Sequence, residues 1–186
     1  MSEQSRPVRW VCVFCGARPG DKASYADSAH ALGEVLAEKG IGLVYGASGL
    51  GLMGVLAKAV LDGGGDVIGV IPHHLVEREQ MAGQATQLYL VKSMHDRKSL
   101  MYRLADAFVV LPGGYGSMDE LMETLTWSKL GLHEKPTAIL NVEGYYDPLI
   151  QWFDRARESG FIDIKDRELV QIADSVEGVL KALRLD

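Results

Sequence analysis

The chain has 186 residues, 47% apolar and 24% charged, which is enough for a sizeable core and roughly one domain of about 150 residues. A disordered, collagen-like or disulfide-stapled protein is excluded on that composition. Subtracting 25 acidic from 19 basic residues leaves a net charge of −6, so the broad basic field of a non-specific nucleic-acid binder is missing.

The opening MSEQSRPVRW is polar and does not read as a secretory signal. A first buried strand is expected at 9–15, where the chain's two cysteines, Cys12 and Cys15, stand in WVCVFCG. A redox C-x-x-C should open a helix just after a strand, and zinc would need a second ligand pair that His73 and His74 do not supply. Buried, reduced thiols are the expectation. Tyr25, Ala29, Leu32 and Leu36 then recur at helical spacing, with Lys39-Gly40 as the stop. The weakly polar stretch from Ile41 to Leu61 approaches the length of a membrane span. Its glycines and Lys58 instead make it a strand at 41–45, a loop, and a helix on Leu52, Val55, Leu56, Ala59 and Val60. No membrane association and a cytoplasmic location are therefore expected.

Further strands are expected at 66–71, 87–91, 107–111 and 136–140. The continuously apolar runs among them suit strands covered on both faces. Helices are expected around Leu100, Met101 and Leu104, over 117–130, around Leu149, Trp152, Phe153 and Ala156, and near 175–184. No repeat or linker interrupts this alternation. It predicts a single α/β domain spanning 1–186, a parallel sheet with helices on both faces, with ligands at the carboxyl ends of the strands.

Glycine-rich loops follow the first, second and fifth strands. The second, YGASGLGLMG, carries G-x-G-x-x-G at Gly49, Gly51 and Gly54 but lacks an acidic residue at the end of the next strand, which ends Val70-Ile71-Pro72-His73. A dinucleotide binder needs that residue for the ribose. The third loop, Pro112-Gly113-Gly114-Tyr115-Gly116-Ser117, precedes a helix whose first N–H groups attract an anion. No G-x-x-x-x-G-K-[ST] occurs, so this phosphate cradle is not of the Walker type. Ser117-Met118-Asp119-Glu120 also reads as an S-x-x-E capping box, with Ser117 as N-cap. Likewise Met94-His95-Asp96-Arg97-Lys98 reads on its own as a charged helix start.

Taken together, MHDRK at 94–98 and PGGYGSMDE at 112–120 resemble the paired motifs MHxRK and PGGxGTxxE of the Lonely Guy family. VFCGARPG, LVYGASGLGLMG, GVIP, ADAFVVLPGG, TWSKLGLHEKP, NVEGYYDPL and SGFI extend the likeness from about residue 10 to about residue 165. The resemblance implies a Rossmann-like fold, a homodimer and a cytokinin riboside 5′-monophosphate phosphoribohydrolase. Such an enzyme releases the base and ribose 5-phosphate from an N6-modified AMP. It implies Arg97 and Glu120 as the catalytic pair. Lys98, Gly113, Gly114, Tyr115, Gly116, Ser117, Asp119 and Thr126 match nucleotide-binding positions, and Glu79 a substrate-contacting glutamate within the divergent EREQMAGQ. Ser117 replaces the motif threonine but keeps a hydroxyl. Ala47-Ser48 replaces glycines of YGGG, which puts base preference in question.

Cleavage of an N-glycosidic bond develops positive charge on the sugar, where sugar hydrolases place carboxylates. Glu120 is expected to stabilise that charge and to orient or deprotonate the attacking water. A guanidinium stays protonated above about pH 12, so Arg97 is expected to donate hydrogen bonds to the leaving purine or to hold Glu120 ionised. Neither a metal nor an organic cofactor is called for. A pyridoxal decarboxylase would need a Schiff-base lysine with a partner for the pyridine nitrogen, and nothing in the sequence arranges Lys98 for that. The remaining alternative is a non-catalytic nucleotide-binding or carrier protein on the same fold. The apolar residues of 117–130 (Met118, Leu121, Met122, Leu125, Trp127, Leu130) cover more than one helix face, and a two-fold partner would bury the excess.

Overall fold

The computed structural model describes residues 7–77 and 85–185. Strands β1 (Trp10–Phe14), β2 (Gly42–Tyr45), β3 (Val67–Pro72), β4 (Gln87–Val91), β5 (Ala107–Val110), β6 (Thr137–Leu140) and β7 (Val170–Ala173) form one sheet. Its order is β4-β3-β2-β1-β5-β6-β7, and every neighbouring pair is parallel. Helices α1 (Ala23–Glu38), α2 (Gly51–Asp62), α3 (Met94–Leu104), α4 (Tyr115–Lys129), α5 (Asp147–Glu158), α6 (Ile164–Arg167) and α7 (Val176–Ala182) fill the connections. The fold is α/β, as the alternation of apolar runs and amphipathic stretches predicts, and Rossmann-like, as the family resemblance implies.

Side chains of a strand alternate between the two faces of the sheet, and β1 divides the core accordingly. Val11 and Val13 join one cluster with Leu32 and Leu36 of α1, Leu52 and Leu56 of α2 and Val179 of α7. Cys12 and Phe14 join the opposite cluster with Met101 and Tyr102 of α3, Leu121 of α4 and Phe153 of α5. In that second layer the Phe14 and Phe108 rings stack at 5.9 Å. Cys12 and Cys15 thus belong to clusters on opposite faces, both buried and both free. Burial pushes both thiols well above the ordinary thiol range.

Three parts of the fold depart from the sequence reading, one of them the four-residue helix α6, too short to show a helical period. The strand β7 was not expected; its VQIA is four residues long with the polar Gln171 inside it, too short to show a period. The fourth helix begins at Tyr115 with Gly114 at its N-cap, two residues before the expected start. Ser117 therefore lies inside the first turn, and the Ser117–Glu120 capping box does not form. From β1 the chain builds outward to β4, then returns to the other side of β1 with β5. The β1/β5 boundary is thus the topological switch point, where the carboxyl ends of strands leave a crevice.

Candidate active site

A cleft of about 450 Å³ opens at that switch point, within the roughly 300–1,000 Å³ of small-molecule sites. The loop after β1 forms one wall and the loop after β5, with the first turns of α4, forms the other. The two walls are joined by a hydrogen bond from Gly16 N to the Pro112 carbonyl, 3.0 Å. Gly113 is required there, since a Cβ would collide with the Ser117 hydroxyl. Tyr145 braces the same loop, donating from its hydroxyl to the Gly113 carbonyl at 2.6 Å, and its ring meets Tyr25 edge-on at 5.6 Å.

The N-terminus of α4 faces this cleft without a side-chain cap. Met118 N donates to the Gly114 carbonyl, while the three preceding N–H groups have no earlier turn to bond. Together with the positive end of the helix dipole they make an anion cradle. Ser117 is buried beside it. Three residues on, about 4.5 Å along the helix axis, stands Glu120.

Arg97 sits at the floor of the cleft, on the first turn of α3, and is 7% exposed. Its Nε donates to the Val70 carbonyl at 3.1 Å and an Nη to the Gly46 carbonyl at 2.5 Å. A carbonyl within β3 and one just beyond the end of β2 thus orient the guanidinium, and no carboxylate among the described residues forms an ion pair with it. A side chain at position 46 would strike that guanidinium, which explains why glycine is needed there.

Glu120 is a carboxyl in a poorly solvated place. Burial is the main cause that lifts its pKa from 4.5 to about 7; Asp119 and Glu123 add to the rise, and Arg97 and Lys98 oppose it. Its side chain lines the cleft and keeps a path to water. A carboxyl poised near neutrality beside a fixed guanidinium suits proton transfer.

The glycine fingerprint after β2 serves packing. A Cβ at Gly51 would run into the Ala17 and Arg18 backbone, and one at Gly54 into Gly49. Gly16 O already accepts from Leu52 N at 3.0 Å and Met53 N at 3.4 Å, so these N–H groups of α2 are taken up by the chain itself and do not present a pyrophosphate site. Ala47, at φ 59°, is buried against Gly69. The Ser48 hydroxyl accepts from Leu50 N. Neither side chain lines the cleft, so the two departures from YGGG do not reshape it.

Of the residues singled out from sequence, Arg97, Gly113, Gly114, Gly116, Ser117, Asp119 and Glu120 come together around this cleft. Tyr115 is almost fully exposed at its edge. Lys98 pairs with Asp119 and Glu123 on α4 and does not line the cleft. Thr126 is exposed about two and a half turns beyond Ser117, its hydroxyl donating to the Met122 carbonyl. Glu79 lies outside the described residues. Sequence reasoning passed over Arg18, an exposed cation on the rim, and Tyr25 and Tyr145 in the wall. Only Arg18 carried a visible signal, a cation inside a glycine-rich loop after a strand.

Residues 53–183 match the family model described as possible lysine decarboxylase. The chain is 48% identical over 168 residues to the cytokinin riboside 5′-monophosphate phosphoribohydrolase LOG of Oryza sativa subsp. japonica, covering 90% of this chain and 69% of that one. It is 45% identical over 182 residues to LOG3 of Arabidopsis thaliana, which bears the same activity in its name, covering 98% and 85%. Among solved structures, the molybdenum cofactor binding protein from Rippkaea orientalis superposes with a TM-score of 0.72 at 18% identity, covering 97% of this chain and 98% of that one. That likeness carries the fold alone. At these identities and coverages the chain belongs to the Lonely Guy family of cytokinin riboside 5′-monophosphate phosphoribohydrolases.

Proposed function

We propose that this chain hydrolyses the N-glycosidic bond of an N6-modified adenosine 5′-monophosphate. One observation carries the reading: Glu120, with a pKa near 7, stands about one helical turn beyond Ser117 of the uncapped first turn of α4 and shares its cleft with the Arg97 guanidinium. The phosphate occupies the cradle of Gly113, Gly114, Gly116 and Ser117, and the ribose bridges toward Glu120. As the bond from C1′ to the base nitrogen breaks, its electron pair leaves with the purine and water oxygen bonds to C1′. Glu120 takes the water's proton and steadies the cationic sugar. Arg97 donates hydrogen bonds toward the leaving purine while keeping its own protons. Passing the proton on to the departing base returns Glu120 to its ionised form.

The single phosphate cradle predicts that 5′-monophosphates are cleaved and the matching ribosides are not. Incubation with AMP, isopentenyl-AMP and both ribosides, followed by chromatography of free base, tests this. Equal rates on riboside and monophosphate overturn the phosphate role, and no release from either monophosphate overturns the reaction.

The same reading is of a cytoplasmic homodimer. Its support is the unburied apolar surface at the end of α4 and the turn beyond, where Leu130 is 67% and Leu132 66% exposed. Light scattering at micromolar concentration should return twice the chain mass, and a monomer mass would refute it.

A further inference from the structure

Lys98 directly follows Arg97 on α3, yet it points away from the cleft. Its ammonium meets Asp119 Oδ2 at 2.9 Å and Glu123 Oε2 at 3.1 Å, with its side chain only 12% exposed. The two carboxylates flank Glu120 on α4, one residue before it and three after. The Tyr102 hydroxyl closes the arrangement, lying 3.1 Å from the same Glu123 oxygen and 3.0 Å from the Glu120 carbonyl. Thr124 Oγ1 donates to that carbonyl as well, at 2.7 Å. Two α3 side chains thus bind α4 on either side of the cleft carboxylate.

The charge count is as telling as the geometry. Lys98, Asp119 and Glu123 sum to −1 when all are ionised. Without Lys98 the sum is −2, directly beside a carboxyl that must itself lose a proton. A little-exposed ammonium needs charged partners to offset its desolvation, and here both partners are neighbours of Glu120.

We propose that Lys98 is a positioning residue, which holds α4 through Asp119 and Glu123 and balances the charge around Glu120 without touching the nucleotide. The kinetic part of this proposal rests on the phosphoribohydrolase reading; the part concerning Glu120 itself does not. The groups facing the Glu120 carboxyl are Arg97 and Lys98 from α3, Asp119 and Glu123 from α4, and the thiols Cys12 and Cys15 from the first strand and its end. Arg97 and Lys98 favour its ionised form, and the two carboxylates oppose it.

The test compares the unaltered chain, Lys98→Met, Lys98→Arg and Glu123→Gln in two measurements. The first is the pH profile of kcat/KM on AMP and isopentenyl-AMP. Lys98→Met should move the midpoint upward by about one pH unit, the scale of losing one nearby charge that is partly screened by solvent, with KM at high pH nearly unchanged. Lys98→Arg should restore the midpoint, and Glu123→Gln should move it downward. An unmoved midpoint in Lys98→Met overturns the proposal, as does a tenfold rise in KM at a fixed midpoint, which would make Lys98 a nucleotide ligand.

The second measurement needs no activity. Melting temperature against pH, with and without Glu120→Gln in each background, isolates the titration of Glu120. If the unaltered chain cleaves neither monophosphate, the functional reading fails while this measurement still decides the proposal. Should Lys98→Met not fold, Glu123→Gln decides alone: a downward shift supports the role and no shift overturns it.

Discussion

Replacing Glu120 by glutamine separates catalysis from structure in one preparation. The folded chain holds this carboxyl at a pKa of about 7 against an ordinary 4.5. At about 1.4 kcal/mol for each pH unit between those values, keeping Glu120 ionised costs the fold about 3–4 kcal/mol at most. Contact with water through the cleft reduces this, so about 2–3 kcal/mol is the working range. The sign follows from proton binding. Below pH 4.5 the carboxyl is protonated folded and unfolded, and contributes nothing. Between 4.5 and 7 the unfolded chain releases its proton while the folded chain keeps it, so stability falls as pH rises, and above 7 the loss is complete. Glutamine removes that loss. Glu120→Gln should therefore melt with the unaltered chain at pH 4.5 and above it at pH 8, by about 4–12 °C for a chain of this size. Turnover should meanwhile fall about a hundredfold or more, the scale of losing one acid–base or electrostatic group. The assays are differential scanning calorimetry at both pH values and base release from isopentenyl-AMP. Parallel melting at the two pH values would refute the desolvated carboxyl, and near-normal turnover would return Glu120 to a structural role.

Three other perturbations read the same cleft. If the ionised form of Glu120 is the base, kcat/KM should climb with pH to a plateau with its midpoint near 7; a flat profile from pH 5 to 9 would count against that role. Gly46→Ala should displace the Arg97 guanidinium and cost about a hundredfold in kcat/KM, a scale seen for one misplaced electrostatic group; an active variant would show that the carbonyl clamp is dispensable. Because Cys12 and Cys15 are buried on opposite faces, neither dithiothreitol nor an oxidant should alter the folded enzyme's rate, and a disulfide found by mass spectrometry in the native protein would contradict the fold.

Strands covered on both faces were legible because their apolar runs are continuous: Ala107-Phe-Val-Val needs no partner to be recognised as interior. The strand β7 was not, since four residues interrupted by Gln171 satisfy several patterns equally. The start of α4 shows a different limit. S-x-x-E at 117–120 describes a capping box only if the glycines before it are turn, and Gly114-Tyr115-Gly116 carries no local feature that decides where turn ends and helix begins. Once Tyr115 and Gly116 join the helix, Ser117 and Glu120 move inside it and the carboxyl that would have closed the helix end becomes free to face the cleft.

What makes Glu120 chemically distinctive was illegible for a stronger reason. Its pKa depends on burial in the folded chain and on Arg97 and Lys98 of α3, none of which is encoded within its own helix, as well as on its helix neighbours Asp119 and Glu123. Arg97 depends in turn on two carbonyls 27 and 51 residues away, at Val70 and Gly46. The glycine-rich loop after β2 illustrates how such dependence hides. Read locally, its three spaced glycines suggest a phosphate site at the start of α2, whereas in the fold Gly16 occupies those N–H groups and the glycine that matters to the cleft is the earlier Gly46. Its hydrogen in place of a side chain is what lets an arginine from α3 reach under β2, and the guanidinium can serve the cleft only because that space was left empty.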